Sequence, residues 1–267
     1  MEITDAQIHL WPGDGAPVHH RQQPYLIEDA LADMDAAGVE RAVNCPAIWD
    51  RGANEYAVEA AERYPGRFAT LGWFPLEGAG DPALVDRILA RPGMLGLRFV
   101  IVAPELTSGL ASGSLDWLWA AADHREIPVG LMVLPEQLPL LGAIAGRFSR
   151  MRILVDHLAV LPFYTLPKAA EHLDDLLALA ARPNVAVKAT GVPSMATDGY
   201  PFASTHQVLQ RAFDAFGPDR MFWGTDITRL SCTWQECVSM FTELPWLTGS
   251  DLEMVMGRGV REWIGWK

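Results

Sequence analysis

Glu2-Ile3-Thr4-Asp5-Ala6-Gln7-Ile8-His9-Leu10-Trp11 opens the chain and alternates as a strand does. Ile3, Asp5, Gln7 and His9 fall on one face, and Thr4, Ala6, Ile8 and Leu10 on the other. The second face is mostly apolar. The first turns from apolar to polar, so that Gln7 and His9 stand together at the C-terminal end. A strand ending this way points polar groups into a cavity, whereas an edge strand with one wet face would read the same alone. Later strands decide the matter, because nearly all of them also end on a polar residue.

Those strands recur at regular intervals. A helix is expected over Leu26–Ala37, stopped by Gly38, and then a strand over Val39–Pro46. The alternation continues with helix Asn54–Tyr64, strand Phe68–Phe74, helix Pro82–Ala90 and strand Leu95–Val100. Helix Ser114–Arg125 leads to strand Pro128–Val133, and helix Leu138–Phe148 to strand Arg152–His157. Helix Lys168–Ala181 leads to strand Val185–Ala189, helix Thr205–Phe216 to strand Met221–Asp226, and a last helical region runs to Trp266. Strands separated by helices pair in parallel, and eight such units in 267 residues suit a closed α/β barrel. A doubly wound sheet would call for a glycine-rich phosphate loop after the first strand, which Gly13 and Gly15 do not make. The expected fold is a (β/α)8 TIM barrel, residues 1–267 forming a single domain.

Composition narrows the function. The net charge of −12, from 21 basic and 33 acidic residues with no basic run, argues against nucleic acid and anionic membranes as partners. A small-molecule substrate is expected, and an anionic one would need a local basic pocket. Cys45, Cys232 and Cys237 have neither metal-ligand nor disulfide-framework spacing, so reduced thiols are expected. No secretory leader or bilayer-length apolar run is read, which places the protein in the cytoplasm. Homo-oligomerisation is left open.

Barrel active sites lie at the C-terminal strand ends. There the sequence offers Gln7 and His9, Asn44, Trp73, Arg98, Gly130 with Met132, Asp156 and His157, Lys188, and Thr225 with Asp226. Each alone has a structural explanation, such as a cap or a satisfied core histidine. Their convergence is harder to explain by packing, because buried ionisable groups are costly unless paired.

The same residues carry a resemblance. Asp-Ala-Gln-Ile-His-Leu-Trp (5–11), Gly-Leu-Arg-Phe (96–99), Val-Asp-His (155–157), Val-Lys (187–188), Trp-Gly-Thr-Asp (223–226) and the closing Val-Met-Gly-Arg-Gly-Val (255–260) resemble the amidohydrolase superfamily. The nearest likeness is to its amidohydrolase-2 branch, with the 2-pyrone-4,6-dicarboxylate lactonases and fuconolactonases. The resemblance implies a His-x-His metal pair on the first strand, but Gln7 stands where the first ligand belongs. Met132 likewise replaces a ligand on the fifth strand. His9, Asp226 and His157 alone are a thin set for catalytic zinc, which wants three protein ligands plus water, so no tightly bound metal is expected. The alternative is one zinc or manganese held by His9, His157 and Asp226.

What the resemblance then implies is a hydrolase that opens a small carboxylated lactone or enol-lactone without a metal. Asp226 would activate water, with His9 and His157 donating to the carbonyl oxygen and Gln7 adding an N–H. Arg98 would clamp a substrate carboxylate, and Lys188 would act as a second cation or proton donor. Trp11, Trp73 and Trp223 would wall the pocket, or simply pack. A metal-dependent hydrolase or decarboxylase, and a non-catalytic descendant that binds a small acid, are the rival readings.

Overall fold

In a computed structural model, which describes residues 1–76 and 80–267, eight strands form one sheet ordered β1 to β8 as in the chain. They are β1 (Thr4–Ile8), β2 (Arg41–Asn44), β3 (Phe68–Gly72), β4 (Met94–Ile101), β5 (Pro128–Val133), β6 (Arg152–Val155), β7 (Val185–Thr190) and β8 (Met221–Gly224). Every neighbouring pair is parallel. Parallel neighbours need crossovers, supplied by α1 (Ile27–Ala37), α2 (Ala53–Arg63), α3 (Ala83–Leu89), α4 (Pro104–Ser112), α5 (Asp116–Arg125), α6 (Leu138–Arg147), α7 (Leu173–Ala178) and α8 (His206–Phe216). The fold is the expected (β/α)8 barrel.

Differences from the sequence reading are local. The α4 helix, with proline at its first position and Gly113 in a left-handed cap, was not anticipated. The helix expected over Lys168–Ala181 breaks into 3₁₀ turns on either side of α7. The last helical region divides into α9 (Trp234–Thr242), α10 (Gly249–Glu253) and α11 (Gly259–Ile264). All three cysteines are free thiols. Among the described residues no helix is long and apolar enough to cross a membrane.

Two apolar cores result. The larger fills the space between strands and helices. The smaller draws Ala6, Val43, Leu71, Leu154, Ala186 and Phe222 from six strands, together with Val260 and Ile264 of α11. It is the barrel interior, stoppered by α11 at the strand starts. Arg261 Nη1 reaches Thr4 Oγ1 at 2.6 Å, and Arg152 at the start of β6 donates to the Trp263 carbonyl. With this end sealed, only the opposite end is left for chemistry.

The strict alternation expected of the opening strand fails at one place. The β1–β2 register slips between Asp5 and Ile8, so Ala6 and Gln7 both serve the interior. Asp5 is left at the closing seam. Among the described residues β8 and β1 share no regular ladder, and Asp5 bridges them instead. Its carboxylate accepts from Thr225 N at 3.0 Å, Thr225 Oγ1 at 2.6 Å and Gln7 N at 2.9 Å. Burial pushes this carboxyl up to about 7 against those hydrogen bonds. A Cβ on Gly224 would stand 2.7 Å from Asp5 Oδ1 and 2.8 Å from Ala6 N, so only glycine lets the seam close.

Of the strands that stop earlier than expected, two end in left-handed turns. After β6 the chain turns at once, with His157, Leu158 and Ala159 all in the left-handed region, at φ of 56°, 53° and 57°. After β8, Asp226 does the same at φ 51°. Non-glycine residues there cost roughly 1 kcal/mol each and persist where the surroundings impose them. His157 and Asp226 are therefore aimed by turns and not by the pleat.

Removing the Asp5 carboxylate strands the Thr225 and Gln7 N–H groups in a dry seam. Asp5→Ala should lower the unfolding free energy by about 3 kcal/mol, measured by urea titration. A loss within about 0.5 kcal/mol would show that the seam holds without it.

Candidate active site

The C-terminal strand ends surround a cavity of about 500 Å³. His9 just past β1, Arg98 of β4, His157 past β6, and Asp226 and Arg229 past β8 all line it. His19 and His20, from the loop after β1, stand at the same cavity. His9, Arg98, His157 and Asp226 are thus brought together as the sequence suggested.

Gln7 and Lys188 are not at the cavity surface. They lie beneath it, both fully buried. Lys188 Nζ is 2.9 Å from Gln7 Oε1 and 3.0 Å from Asp156 Oδ1. Because an ammonium only donates, the Gln7 oxygen faces Lys188 and its amide nitrogen faces His157 Nε2, at 3.1 Å. His157 Nε2 therefore accepts, while Nδ1–H donates to Thr190 Oγ1 at 2.6 Å. Burial, reinforced by the nearby Arg229, holds the imidazole down at about 3, hence neutral. This corrects three expectations. His157 has no N–H left for a substrate carbonyl, Gln7 turns its amide nitrogen to His157 beneath the cavity, and Lys188 is sealed off from any leaving group.

Asp156 joins this layer to the cavity, since its Oδ2 also lies 2.9 Å from Arg98 Nε. Burial alone would raise its carboxyl, yet Lys188 and Arg98 together hold it below the usual carboxylate range. Arg98 meets the protein through Nε only. Among the described residues its two terminal nitrogens have no hydrogen-bond partner, and the side chain lines the cavity.

Asp226 lies between three partners. Arg229 Nε is 2.8 Å from Oδ2, His9 Nε2 is 3.2 Å from Oδ1, and His157 Nε2 is 3.6 Å from Oδ2. Burial opposes ionisation, but Arg229 and then His9 overcome it and hold the carboxyl well below its ordinary value. The His9 contact is close without being aligned as a hydrogen bond, so Oδ1 is buried with no hydrogen-bond partner among the described residues. His9 is itself oriented by Nδ1–H, which donates to the Cys45 carbonyl and leaves Nε2 facing the carboxylate.

Arg229 was missed by the sequence reading. Its signal was present, one turn past Asp226 in Thr-Asp-Ile-Thr-Arg, although nothing local says that it folds back onto the carboxylate. Gly191 makes room for it, because a Cβ there would come within 1.9 Å of the guanidinium.

The tryptophans also need correction. Trp11 is fully buried against Trp49, their rings 5.2 Å apart, and Trp223 is fully buried with Nε1 donating to the Cys237 carbonyl. Neither lines the cavity. Trp73 lines a separate hollow beside it. The aromatic wall is made instead by Trp49 and Phe163, both on loops where the strand pattern carries no information.

Residues 4–255 match the family model described as amidohydrolase. The chain belongs to the amidohydrolase family. It is 27% identical over 224 residues to the L-fucono-1,5-lactonase of Burkholderia ambifaria, across 83% of this chain and 76% of that protein. Among solved structures, a zinc-bound amidohydrolase of Burkholderia multivorans aligns with a TM-score of 0.85 at 20% identity, over 99% of both chains. A "probable 2-pyrone-4,6-dicarboxylic acid hydrolase" of Acinetobacter baumannii, with citric acid bound, aligns with a TM-score of 0.74 at 15% identity over the whole of both chains.

In this amidohydrolase the donor set fits a divalent ion poorly as it is arranged. The His157 Nε2 lone pair is engaged by Gln7, and Asp226 is engaged by Arg229. A dication would also sit beside the Arg229 guanidinium, whose repulsion in a dry site is large.

The linkage through Gln7 sets a test. The ordinary histidine value is 6.5, and the folded value is lowered, so His157 should stay neutral from pH 8 to about 4. Its imidazole ¹⁵N resonances should not move across that range. A titration midpoint near 6.5 would break the assigned chain of hydrogen bonds.

Proposed function

We propose that this amidohydrolase opens a small carboxylated lactone by Asp226-activated water, without a resident metal. The observation that carries the reading is the Asp226 carboxylate at the floor of the cavity, ionised, with Oδ1 buried but lacking a hydrogen-bond partner and His9 Nε2 beside it. The lactonase relative and the pyrone-hydrolase likeness support the reaction class.

The substrate carboxylate takes the free terminal nitrogens of Arg98, a planar fork suited to two carboxylate oxygens. That pairing holds the lactone carbonyl above Asp226. Water held at the Asp226 carboxylate attacks the carbonyl carbon as its proton passes to that carboxylate. Charge developing on the carbonyl oxygen is stabilised by the Arg229 guanidinium, fixed in place before the reaction starts. When the ring C–O bond breaks, the proton moves from Asp226 through His9 Nε2, 3.2 Å away, to the departing oxygen. The product is a hydroxy acid, and both residues return to their starting protonation. A lactone suits such a site better than an amide, because an alkoxide or enolate leaves more readily than an amine.

Electrostatics support an anionic substrate. Three buried cations, Arg98, Lys188 and Arg229, face two ionised carboxylates, Asp156 and Asp226. One positive charge is left over at the base of a cavity in a protein of net charge −12.

Asp226→Asn keeps the shape and removes the proton acceptor. It should lower kcat by about 10²- to 10⁴-fold with KM little changed, and near-full kcat would place the base elsewhere. Arg98→Lys keeps a cation for Asp156 but loses the fork, so KM for a carboxylated lactone should rise at least about tenfold while kcat changes less. Metal content is tested separately. Elemental analysis should find well under one equivalent of zinc or manganese, and chelator treatment should leave the rate unchanged. Activity lost to a chelator and restored by zinc would establish the metal-dependent reading.

A further inference from the structure

The cavity wall above the polar floor is largely apolar. Ile48, Trp49, Val100, Met132, Leu161 and Phe163 form most of it, and among the described residues no Ser, Thr, Asn or Gln lines it. Of the two loop histidines, His20 already has Nδ1 bonded to Thr228 Oγ1 at 2.8 Å, and His19 packs edge-on against Phe163 with ring centroids 5.2 Å apart. The wall's own polar groups are therefore few, the His19 ring nitrogens, His20 Nε2 and Trp49 Nε1, and they cluster on the β1 and β2 loops away from Val100 and Met132.

A sugar lactone carries a hydroxyl on nearly every ring carbon. Each one turned toward the aliphatic residues of this wall would give up its water without gaining a partner. A hydrophobic pocket disfavours one added hydroxyl by about 10²-fold. The apolar surface also continues past Arg98. A hollow of about 280 Å³ shares Ile48, Arg98 and Val100 with the cavity and is otherwise lined by groups such as Trp73, Phe74 and Phe99. A ligand held by its carboxylate on Arg98 thus has apolar space on both sides of the guanidinium.

We propose that the site takes a flat, apolar lactone acid, an aromatic or alkyl-substituted ring with a single carboxylate, and discriminates against polyhydroxylated sugar lactones. This rests on the hydrolytic reading of the same site and departs from what the name of its lactonase relative would suggest.

Coumarin-3-carboxylate and D-glucono-1,5-lactone are the test substrates, with ring opening followed by acid release in weak buffer. The aromatic acid should be opened with a kcat/KM at least about 100-fold higher. Binding is measured independently by calorimetry with the non-hydrolysable lactam 2-oxo-1,2-dihydroquinoline-3-carboxylate. Val100→Asn and Met132→Gln, which place amides on the wall, should each weaken that lactam at least about tenfold, with circular dichroism confirming the fold. A kcat/KM for gluconolactone equal to or above that of the aromatic acid would overturn the proposal while leaving the hydrolytic reading intact. Lactam binding weakened by the wall variants, with no lactone opened, would support the ligand class and overturn the hydrolytic reading. Absence of both binding and turnover would overturn both.

Discussion

A lysine with no exposed surface cannot remain charged inside a barrel unless its neighbours are arranged around it. Lys188 is that residue, and the arrangement radiates from it. On one side it pairs with Asp156, which pairs in turn with Arg98. On the other it orients the Gln7 amide, which sets the His157 tautomer, which is anchored on Thr190. One ammonium thus dictates the direction of hydrogen bonds across β1, β4, β6 and β7. Removing one member of such a buried pair leaves an uncompensated charge, at a cost of about 3–5 kcal/mol. Lys188 acts on chemistry only through the residues it positions.

The cations also give the site its character. Gln7 stands where the family resemblance puts a metal ligand, and Lys188 and Arg229 supply positive charge around that place. A guanidinium held by protein contacts offers a fixed positive field without a ligand-exchange step. It also leaves the Asp226 carboxylate ionised at neutral pH. The same surplus of positive charge, in a molecule that is acidic as a whole, concentrates attraction for an anion at one spot.

Backbone strain is concentrated at the candidate site. His157 and Asp226 both occupy left-handed conformations immediately after their strands, and Asp226 N donates to the Gln7 carbonyl at 2.9 Å. The seam between first and last strands, held by Asp5 and made possible by Gly224, therefore also locates the candidate base. A change at the seam reaches Asp226 through two residues of chain.

The amino-acid sequence by itself determined the order of eight strands, the barrel they close into, and the convergence of His9, Arg98, His157 and Asp226 at one end. These follow from periodicity, because parallel strands in a closed sheet must all present their C-terminal ends on the same side. Depth and direction were decided only by tertiary structure. Gln7 joins Lys188 one layer below the cavity because a register slip in β1 turns an extra side chain inward. Trp11 and Trp223 pack away from the cavity, while Trp49 and Phe163 on loops replace them. Arg229 reaches Asp226 because a left-handed turn folds the chain back, and Gly191 on the neighbouring loop leaves room for it. Such outcomes depend on which surfaces meet across the closed sheet, and alternation along one strand carries no record of its neighbours.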